Sequence, residues 1–117
     1  MRIAITGTTG QLGGRLLSLA GSEPAEGLEL TPLGRDRMDL ADPSTFPAAL
    51  DGVRLDLVLS CAAQTAVDAA EGDRAMAFSV NGEAPGHLGK ACEDRNIKVI
   101  HISTDYVFNG QGDRPYL

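Results

Sequence analysis

Tryptophan is absent from this 117-residue sequence, and phenylalanine and tyrosine together make up only 4% of it. We therefore expect a core of aliphatic side chains. Cysteine is also scarce, since only Cys61 and Cys92 occur. Two cysteines are too few for a disulfide framework, and their spacing is not that of metal ligands. We interpret both as small buried hydrophobic residues and expect no metal site.

Long apolar runs and an excess of positive charge are missing as well. No stretch approaches the roughly 20 apolar residues of a membrane span, and the chain enters an apolar strand at once, which leaves no room for a signal peptide. The net charge of −6 argues against a nucleic-acid-binding surface and against binding to anionic membranes. We therefore expect a single-domain cytoplasmic protein with no nucleic-acid or membrane partner.

The first thirteen residues are the most informative stretch. Ile3, Ala4 and Ile5 form a short apolar run, typical of a buried parallel strand. A G-x-x-G-x-x-G turn over residues 7–13 follows it and leads into leucines at helical spacing. Such a turn brings backbone N–H groups and a helix N-terminus, with a charge of about +0.5, to a pyrophosphate. The alternative is a glycine loop that merely turns the chain. The predicted dinucleotide-binding residues here are Gly7, Thr9, Gly10, Gln11, Leu12 and Gly13.

The rest of the chain alternates between extended and helical patterns. This alternation predicts an incomplete Rossmann-type α/β fold, a doubly wound parallel sheet of about four strands in the order 3-2-1-4. The predicted strands cover residues 2–6, 28–33, 56–60 and 98–102, and the predicted helices cover residues 11–20, 44–51 and most of 69–95.

Local signals refine two of these helices. Asp42 or Ser44 is expected to cap the helix over 44–51. Pro85 predicts a bend in the long helical stretch, or a break with Pro85 in the first turn of a second segment. Asn81 stands just before that break, and we expect its side chain to bond to freed backbone groups.

The end of the second strand faces the adenosine ribose in a dinucleotide-binding fold. Arg35 stands there, and its guanidinium can pair with a 2′-phosphate, which favours NADP. Asp36 next to it favours NAD if the turn directs it at the ribose, and a solvated surface charge is the other interpretation of Arg35. Asp39 and Leu40 lie either near the adenine end of the cleft or in a loop with one anchoring leucine.

Small residues follow the third predicted strand. Ligands bind at the carboxyl ends of strands in open α/β sheets, and a cofactor lying against the backbone needs small residues there. The alternative is that these residues pack under the next helix. The predicted cofactor-binding residues in this loop are Cys61, Ala62, Ala63 and Thr65.

Hydroxyl groups follow the fourth predicted strand. Ser103 and Thr104 stand at its carboxyl end, where a hydroxyl can donate to a substrate carbonyl oxygen and stabilise a developing alkoxide. A hydroxyl that only caps the strand end is the alternative. His101 lies within the strand, and we interpret it as a core histidine.

Several longer stretches resemble the N-terminal half of an extended short-chain dehydrogenase/reductase, and more narrowly the dTDP-4-dehydrorhamnose reductase family. The glycine motif is shared by the whole superfamily. Thr-Ala-Val-Asp-x-Ala-Glu and Ser-Thr-Asp-Tyr-Val-Phe are more specific to the narrow family. The matching stretches are residues 6–13, 61–71, 80–81 and 99–108, with the Gly-x-Gly-Asp-x-Pro-Tyr that follows.

This resemblance implies reduction of the 4-keto group of dTDP-4-dehydro-6-deoxy-L-mannose to dTDP-L-rhamnose, with NADPH or NADH as cofactor. Thr104 matches the catalytic hydroxyl of the family. Asp105 and Tyr106 match positions that line the substrate site, and Thr65 and Val67 fall where the family contacts cofactor or substrate. A nucleotide-sugar partner and a homodimer of the full-length protein are also implied.

The family's Tyr-x-x-x-Lys pair is missing from these residues. Four residues after Tyr106 stands Gly110, and Tyr116 is the penultimate residue. We therefore expect the 117 residues to be the N-terminal part of a cofactor-binding domain, without the substrate domain and without reductase turnover of their own. The alternative is a non-catalytic nucleotide-binding subunit resembling the regulatory subunit of methionine adenosyltransferase.

The fourth predicted strand is apolar and lies at an edge of the predicted sheet. Exposed apolar edges invite pairing with other chains. We therefore expect the 117-residue chain to self-associate or to be marginally stable.

Overall fold

The computed structural model describes residues 1–23, 25–112 and 114–115. Asp113 and Tyr116, which belong to the family-like Gly-x-Gly-Asp-x-Pro-Tyr stretch, lie outside the described residues, as does the side chain of Val67. The strands are β1 (Arg2–Ile5), β2 (Glu29–Pro32), β3 (Leu57–Ser60) and β4 (Lys98–His101). The helices are α1 (Gln11–Ser22), α2 (Phe46–Asp51), α3 (Val67–Gly72), α4 (Arg74–Phe78) and α5 (Ala84–Glu93), with 3₁₀ turns at Pro43–Thr45 and Asp105–Val107 and a π-helical turn at Ser79–Glu83.

The four strands form one parallel sheet, which confirms the predicted fold class. Its order is β2-β1-β3-β4, so the predicted order 3-2-1-4 was wrong in the place of β3. That strand is an almost continuous apolar run, and it pairs on both sides, with β1 and with β4. The edge beside β1 belongs instead to β2, which ends at Pro32, a residue without a ladder N–H that suits an edge strand.

Helices cover both faces of the sheet. Right-handed crossovers place α1, which connects β1 to β2 on one side, opposite the helices that lead to β3 and β4 on the other side. The buried core lies on the second face, where Ala4 and Val58 meet aliphatic and aromatic side chains of α2 and α5. Phe46, Leu50, Leu88 and Cys92 are fully buried members of that core.

The long helical stretch is interrupted where Pro85 predicted a break. Pro85 has no N–H for the carbonyl of Asn81, and its ring crowds that carbonyl. The chain accommodates it by a wider π-helical turn, in which the N–H of Ala84 donates to the carbonyl oxygen of Ser79. Pro85 then lies in the first turn of α5, as the second of the two sequence-based interpretations holds.

Other predicted details divide into confirmed and corrected ones. The side chain of Asp42 accepts a hydrogen bond from the N–H of Ser44, but it caps the 3₁₀ turn over Pro43–Thr45, and α2, which begins at Phe46, has no side-chain cap. Cys92 is buried, whereas Cys61 is only half-buried, and burial raises the pKa of both thiols. His101 is exposed, so its assignment to the core was wrong.

In the part of the chain that the structure describes, no helix is both long and apolar enough to cross a bilayer.

Candidate functional site

The glycine turn joins β1 to α1 as predicted. Gly7 has φ +66°, a conformation that favours glycine. Its carbonyl oxygen accepts the N–H of Gly10 at 2.9 Å, which closes the turn. Gly10 is the N-cap of α1, and no side chain caps the helix there. The first N–H groups of α1 therefore lack a side-chain acceptor, as an anion-binding helix end requires.

The glycines let backbone segments approach one another more closely than side chains would allow. A β-carbon on Gly7 would lie 2.8 Å from the backbone of Cys61 and Ala62, so the β1–α1 turn touches the loop after β3. A β-carbon on Gly13 would overlap the Gly7 carbonyl, and one on Gly10 would lie 3.2 Å from the same oxygen. The tight turn therefore needs glycine at these positions and consists of backbone without side chains there, as in the pyrophosphate-binding turn of a dinucleotide-binding fold.

Thr6 connects this turn to the next loop, a role that the sequence analysis missed. Its side chain is 1% exposed, and its Oγ1 accepts the N–H groups of Cys61 at 3.1 Å and Ala62 at 3.2 Å. The only sequence signal is a hydroxyl residue directly before the first glycine. Its partners Cys61 and Ala62 follow 55 and 56 positions later in the chain, and no local sequence pattern indicates this pairing.

The loop over residues 61–66, between β3 and α3, carries four of the predicted cofactor-binding residues. Cys61 and Ala62 are half-buried, whereas Ala63 and Thr65 are exposed. The far part of the loop is held by Asn81, whose Oδ1 accepts the N–H of Gln64 at 2.8 Å and whose Nδ2 donates to the Gln64 carbonyl at 2.9 Å. We call this pair of hydrogen bonds the Asn81 clamp.

The clamp partly corrects the prediction for Asn81. Its side chain does bond to backbone groups, but these belong to the 61–66 loop and not to the interrupted helix.

Next to the clamp, a groove of about 440 Å³ opens between the loop and α3–α4, with Thr65, Arg74 and Phe78 in its lining.

The end of β2 places charged groups near the glycine turn. A β-carbon on Gly34 would lie 2.6 Å from Asp36 Oδ1 and 3.6 Å from Thr8 Oγ1, so the Asp36 carboxylate folds back toward the turn. The Arg35 side chain is 80% exposed, with its Nε 3.8 Å from Asp39 Oδ1. The side chain of Leu40 is 6% exposed and belongs to the core, which favours the anchoring interpretation for that residue.

The segment after β4 is exposed. Thr104 Oγ1 accepts the N–H of Tyr106 at 3.2 Å and donates to Asp105 Oδ1 at 3.4 Å, so it caps the short 3₁₀ turn. Tyr106 is 91% exposed. Nearby, the Nδ1 of His101 lies 3.2 Å from the buried Oγ of Ser60, which joins the carboxyl ends of β3 and β4.

The strand register brings these groups to one edge of the sheet. Ile5 pairs with Pro32 and with Leu59, and Ser60 pairs with His101. The glycine turn, the Arg35 segment, the 61–66 loop and Thr104 therefore all follow the carboxyl ends of neighbouring parallel strands. Among the described residues no group of three or more His, Cys, Asp or Glu side chains converges as metal ligands would.

A family model described as "RmlD substrate binding domain" matches residues 1–117. The chain belongs to this family. This member of the RmlD family is 43% identical over 115 residues to a dTDP-4-dehydrorhamnose reductase of Streptomyces griseus, with 98% of the chain and 37% of the relative covered.

Solved structures of the RmlD family agree in fold. A dTDP-4-dehydrorhamnose reductase of Clostridium acetobutylicum superposes with a TM-score of 0.85 at 30% identity, over 99% of the chain and 40% of that protein. A dTDP-4-dehydrorhamnose reductase of Bacillus anthracis in complex with NADP gives a TM-score of 0.81 at 33% identity, over 97% and 39%. The chain thus spans about two fifths of the length of these relatives.

Proposed function

We propose that this chain is the cofactor-binding part of an NADPH-dependent reductase that acts on the 4-keto group of a dTDP-4-dehydro-6-deoxy sugar. The observation that carries the proposal is the bare-backbone turn over Gly7, Gly10 and Gly13, between β1 and the uncapped end of α1. Relatives named dTDP-4-dehydrorhamnose reductase, one of them in complex with NADP, support the cofactor and the substrate class.

On the cofactor side, the residues of the turn would hold the pyrophosphate with N–H groups of the α1 N-terminus. Arg35 projects into solvent and is free to swing from Asp39, 3.8 Å away, toward a 2′-phosphate. Asp36, folded toward the turn, would oppose that phosphate and accept from an unmodified ribose. We propose a preference for NADPH, with NADH as the alternative cofactor. Cys61, Ala62 and Ala63 offer backbone and small side chains to the remainder of the dinucleotide.

On the substrate side, NADPH would supply the hydride for the 4-keto carbon. Thr104 already uses one lone pair for the N–H of Tyr106, so its own hydrogen remains available to a keto oxygen in place of Asp105 Oδ1, which is 3.4 Å away. A donor at that oxygen stabilises the charge that hydride transfer creates. We further propose that Asp105, Tyr106 and Val67 line the substrate site.

We also propose that residues 1–117 form the N-terminal part of the cofactor-binding domain of a longer, cytoplasmic and homodimeric reductase. The relatives support this, because each is about two and a half times as long as the stretch that they share with this chain. Intact-mass measurement of the native gene product tests it, and a mass of 12.2 kDa would favour a regulatory nucleotide-binding subunit instead.

A titration of the 117-residue chain with NADPH, followed by cofactor fluorescence, tests the proposed cofactor site. Gly10→Ala is expected to raise the Kd for NADPH at least about tenfold. The new β-carbon would lie 3.2 Å from the Gly7 carbonyl oxygen and would crowd the turn. Gly21→Ala is the matched control, since a β-carbon there meets nothing within 4 Å on the same helix. Absence of NADPH binding by the folded wild-type chain would overturn the proposal.

A further inference from the structure

The 61–66 loop is tied to the rest of the molecule by side chains from two different elements. Thr6, at the end of β1, holds the N–H groups of Cys61 and Ala62. Asn81, in the π-helical turn, holds both the N–H and the carbonyl of Gln64. Ala63, the residue between these two anchors, is small and exposed at the sheet edge.

The π-helical turn gives Asn81 its place. Pro85 prevents the regular hydrogen bond to the Asn81 carbonyl, and the helix widens over Ser79–Glu83. Single wide turns of this kind inside helices are frequent at functional sites. The widened turn presents the Asn81 carboxamide to the 61–66 loop, where both of its polar ends are used. The same π-helical turn thus accommodates Pro85 and carries the asparagine that anchors the loop.

We propose that Asn81 is a positioning residue for the dinucleotide. The inference rests on the proposed cofactor site: the clamp holds the far part of the 61–66 loop on the π-helical turn, while Thr6 holds its first residues beside the glycine turn, before the cofactor arrives. A loop that is already ordered loses less conformational entropy when its ligand binds. Asn81 itself does not need to touch the cofactor for this effect.

A carboxamide is the side-chain group that can bind both the N–H and the carbonyl of Gln64. It donates from one end and accepts at the other, as the N–H and carbonyl of Gln64 demand. A carboxylate at this position accepts the N–H but offers no hydrogen to the carbonyl and sets negative charge against it. Leucine has a similar shape and makes neither hydrogen bond.

The test uses the 117-residue chain with Asn81→Leu and Asn81→Asp, and Glu83→Gln as the control in the same turn. Hydrogen exchange of the ligand-free chain reports protection of the Gln64 amide, and an NADPH titration reports the Kd. We expect Asn81→Leu to lose about tenfold in both, since it removes both hydrogen bonds, and Asn81→Asp to lose affinity for NADPH while it keeps an acceptor for the Gln64 amide. Glu83→Gln is expected to stay within about twofold of the wild type.

Thermal melts separate positioning from general stability. A variant that is folded at the temperature of the titration, and that binds NADPH as tightly as the wild type, overturns the inference. Equal losses in Glu83→Gln overturn it as well. If Asn81→Leu does not fold, the affinity of Asn81→Asp for NADPH decides the question. A wild-type chain that is folded but does not bind NADPH defeats the proposed function and this inference together, whereas unchanged affinity in the Asn81 variants defeats this inference alone.

Discussion

At the scale of single residues, the hydroxyl of Thr6 connects the glycine turn to the 61–66 loop, and both carry residues of the proposed cofactor site. Thr6 Oγ1 accepts two backbone N–H groups from the loop after β3, and the side chain is buried beneath the glycine turn. A buried donor that loses its acceptor costs the full desolvation of that donor. Thr6 therefore matters for both stability and the shape of the site.

Thr6→Val is expected to lower the free energy of unfolding by about 2 kcal/mol, because it keeps the shape of the side chain but leaves the N–H groups of Cys61 and Ala62 without this acceptor. Urea unfolding measures the change. Thr6→Ser is the control, since it keeps the hydroxyl. Equal stability of the valine and serine variants would show that the hydroxyl does not contribute.

Residue-level prediction from the sequence succeeded where the cause is local. The turn over Gly7 to Gly13 follows from backbone conformation and close approach, both of which only glycine meets here. The roles of Thr6 and Asn81 were missed or only partly predicted, because their partners lie 55 and 17 residues away. Which side chain reaches which backbone group depends on the assembled sheet.

At the scale of elements, the strand ranges were predicted to within two residues, whereas the place of β3 was not. Apolar periodicity marks a strand but does not tell which neighbours it pairs with. The sheet resolves this by burying the most apolar strand in the middle and leaving Pro32 on an edge strand. The edge position of β4 was predicted correctly, but His101 was still assigned to the core, whereas its side chain is exposed on that edge strand.

An ion pair fixes the pairing of β1 with β3 at its start. The backbone N–H of Arg2 donates to Asp56 Oδ2 at 2.7 Å, and its guanidinium donates to Oδ1 at 2.7 Å. These hydrogen bonds lower the pKa of Asp56 to about 2, below the value of about 3.9 in an unfolded chain. The stabilisation is thus complete above about pH 4 and is lost as the pH falls toward 2.

We expect the melting temperature of the wild type to fall more steeply between pH 4 and pH 2 than that of Asp56→Asn, which has no carboxylate to titrate at this position. Circular dichroism melts across this range measure the slopes. Asp51→Asn serves for comparison, because Arg95 lowers the pKa of Asp51 as well. Parallel slopes for the wild type and Asp56→Asn would contradict the assignment.

At the scale of the whole molecule, the sheet is unevenly covered. The register places Ile3, Ile5, Leu57, Leu59 and Ile100 on the face opposite the main core. Ile5 is buried there, whereas Ile100, on the edge strand β4, is 50% exposed and Ile102 beyond it is 45% exposed. Parallel sheets are normally covered on both faces, so this strip is an apolar surface open to another chain.

We expect the 117-residue chain to self-associate through this edge as its concentration rises. Sedimentation velocity over a hundredfold concentration range measures the association. Ile100→Lys is expected to weaken it at least about tenfold, because the charge would have to be desolvated in the contact. Lys98→Arg, which keeps the charge on the same strand, is the control. A monomer at all concentrations would exclude such association.

The asparagine of the Asn81 clamp is also open to a slow chemical reaction, deamidation. Asn81 precedes Gly82, and Asn–Gly sequences age by loss of ammonia when the glycine nitrogen attacks the side-chain carboxamide. The resulting succinimide is opened by water to aspartate or isoaspartate, and neither carboxylate can donate to the Gln64 carbonyl. The π-helical turn and both hydrogen bonds hold that carboxamide away from such an attack, whereas Asn109, before Gly110, lies in a loop, where its carboxamide accepts one hydrogen bond from the Gln111 N–H. The fold thus slows the ageing of the asparagine on which the loop depends and leaves the other one to age first.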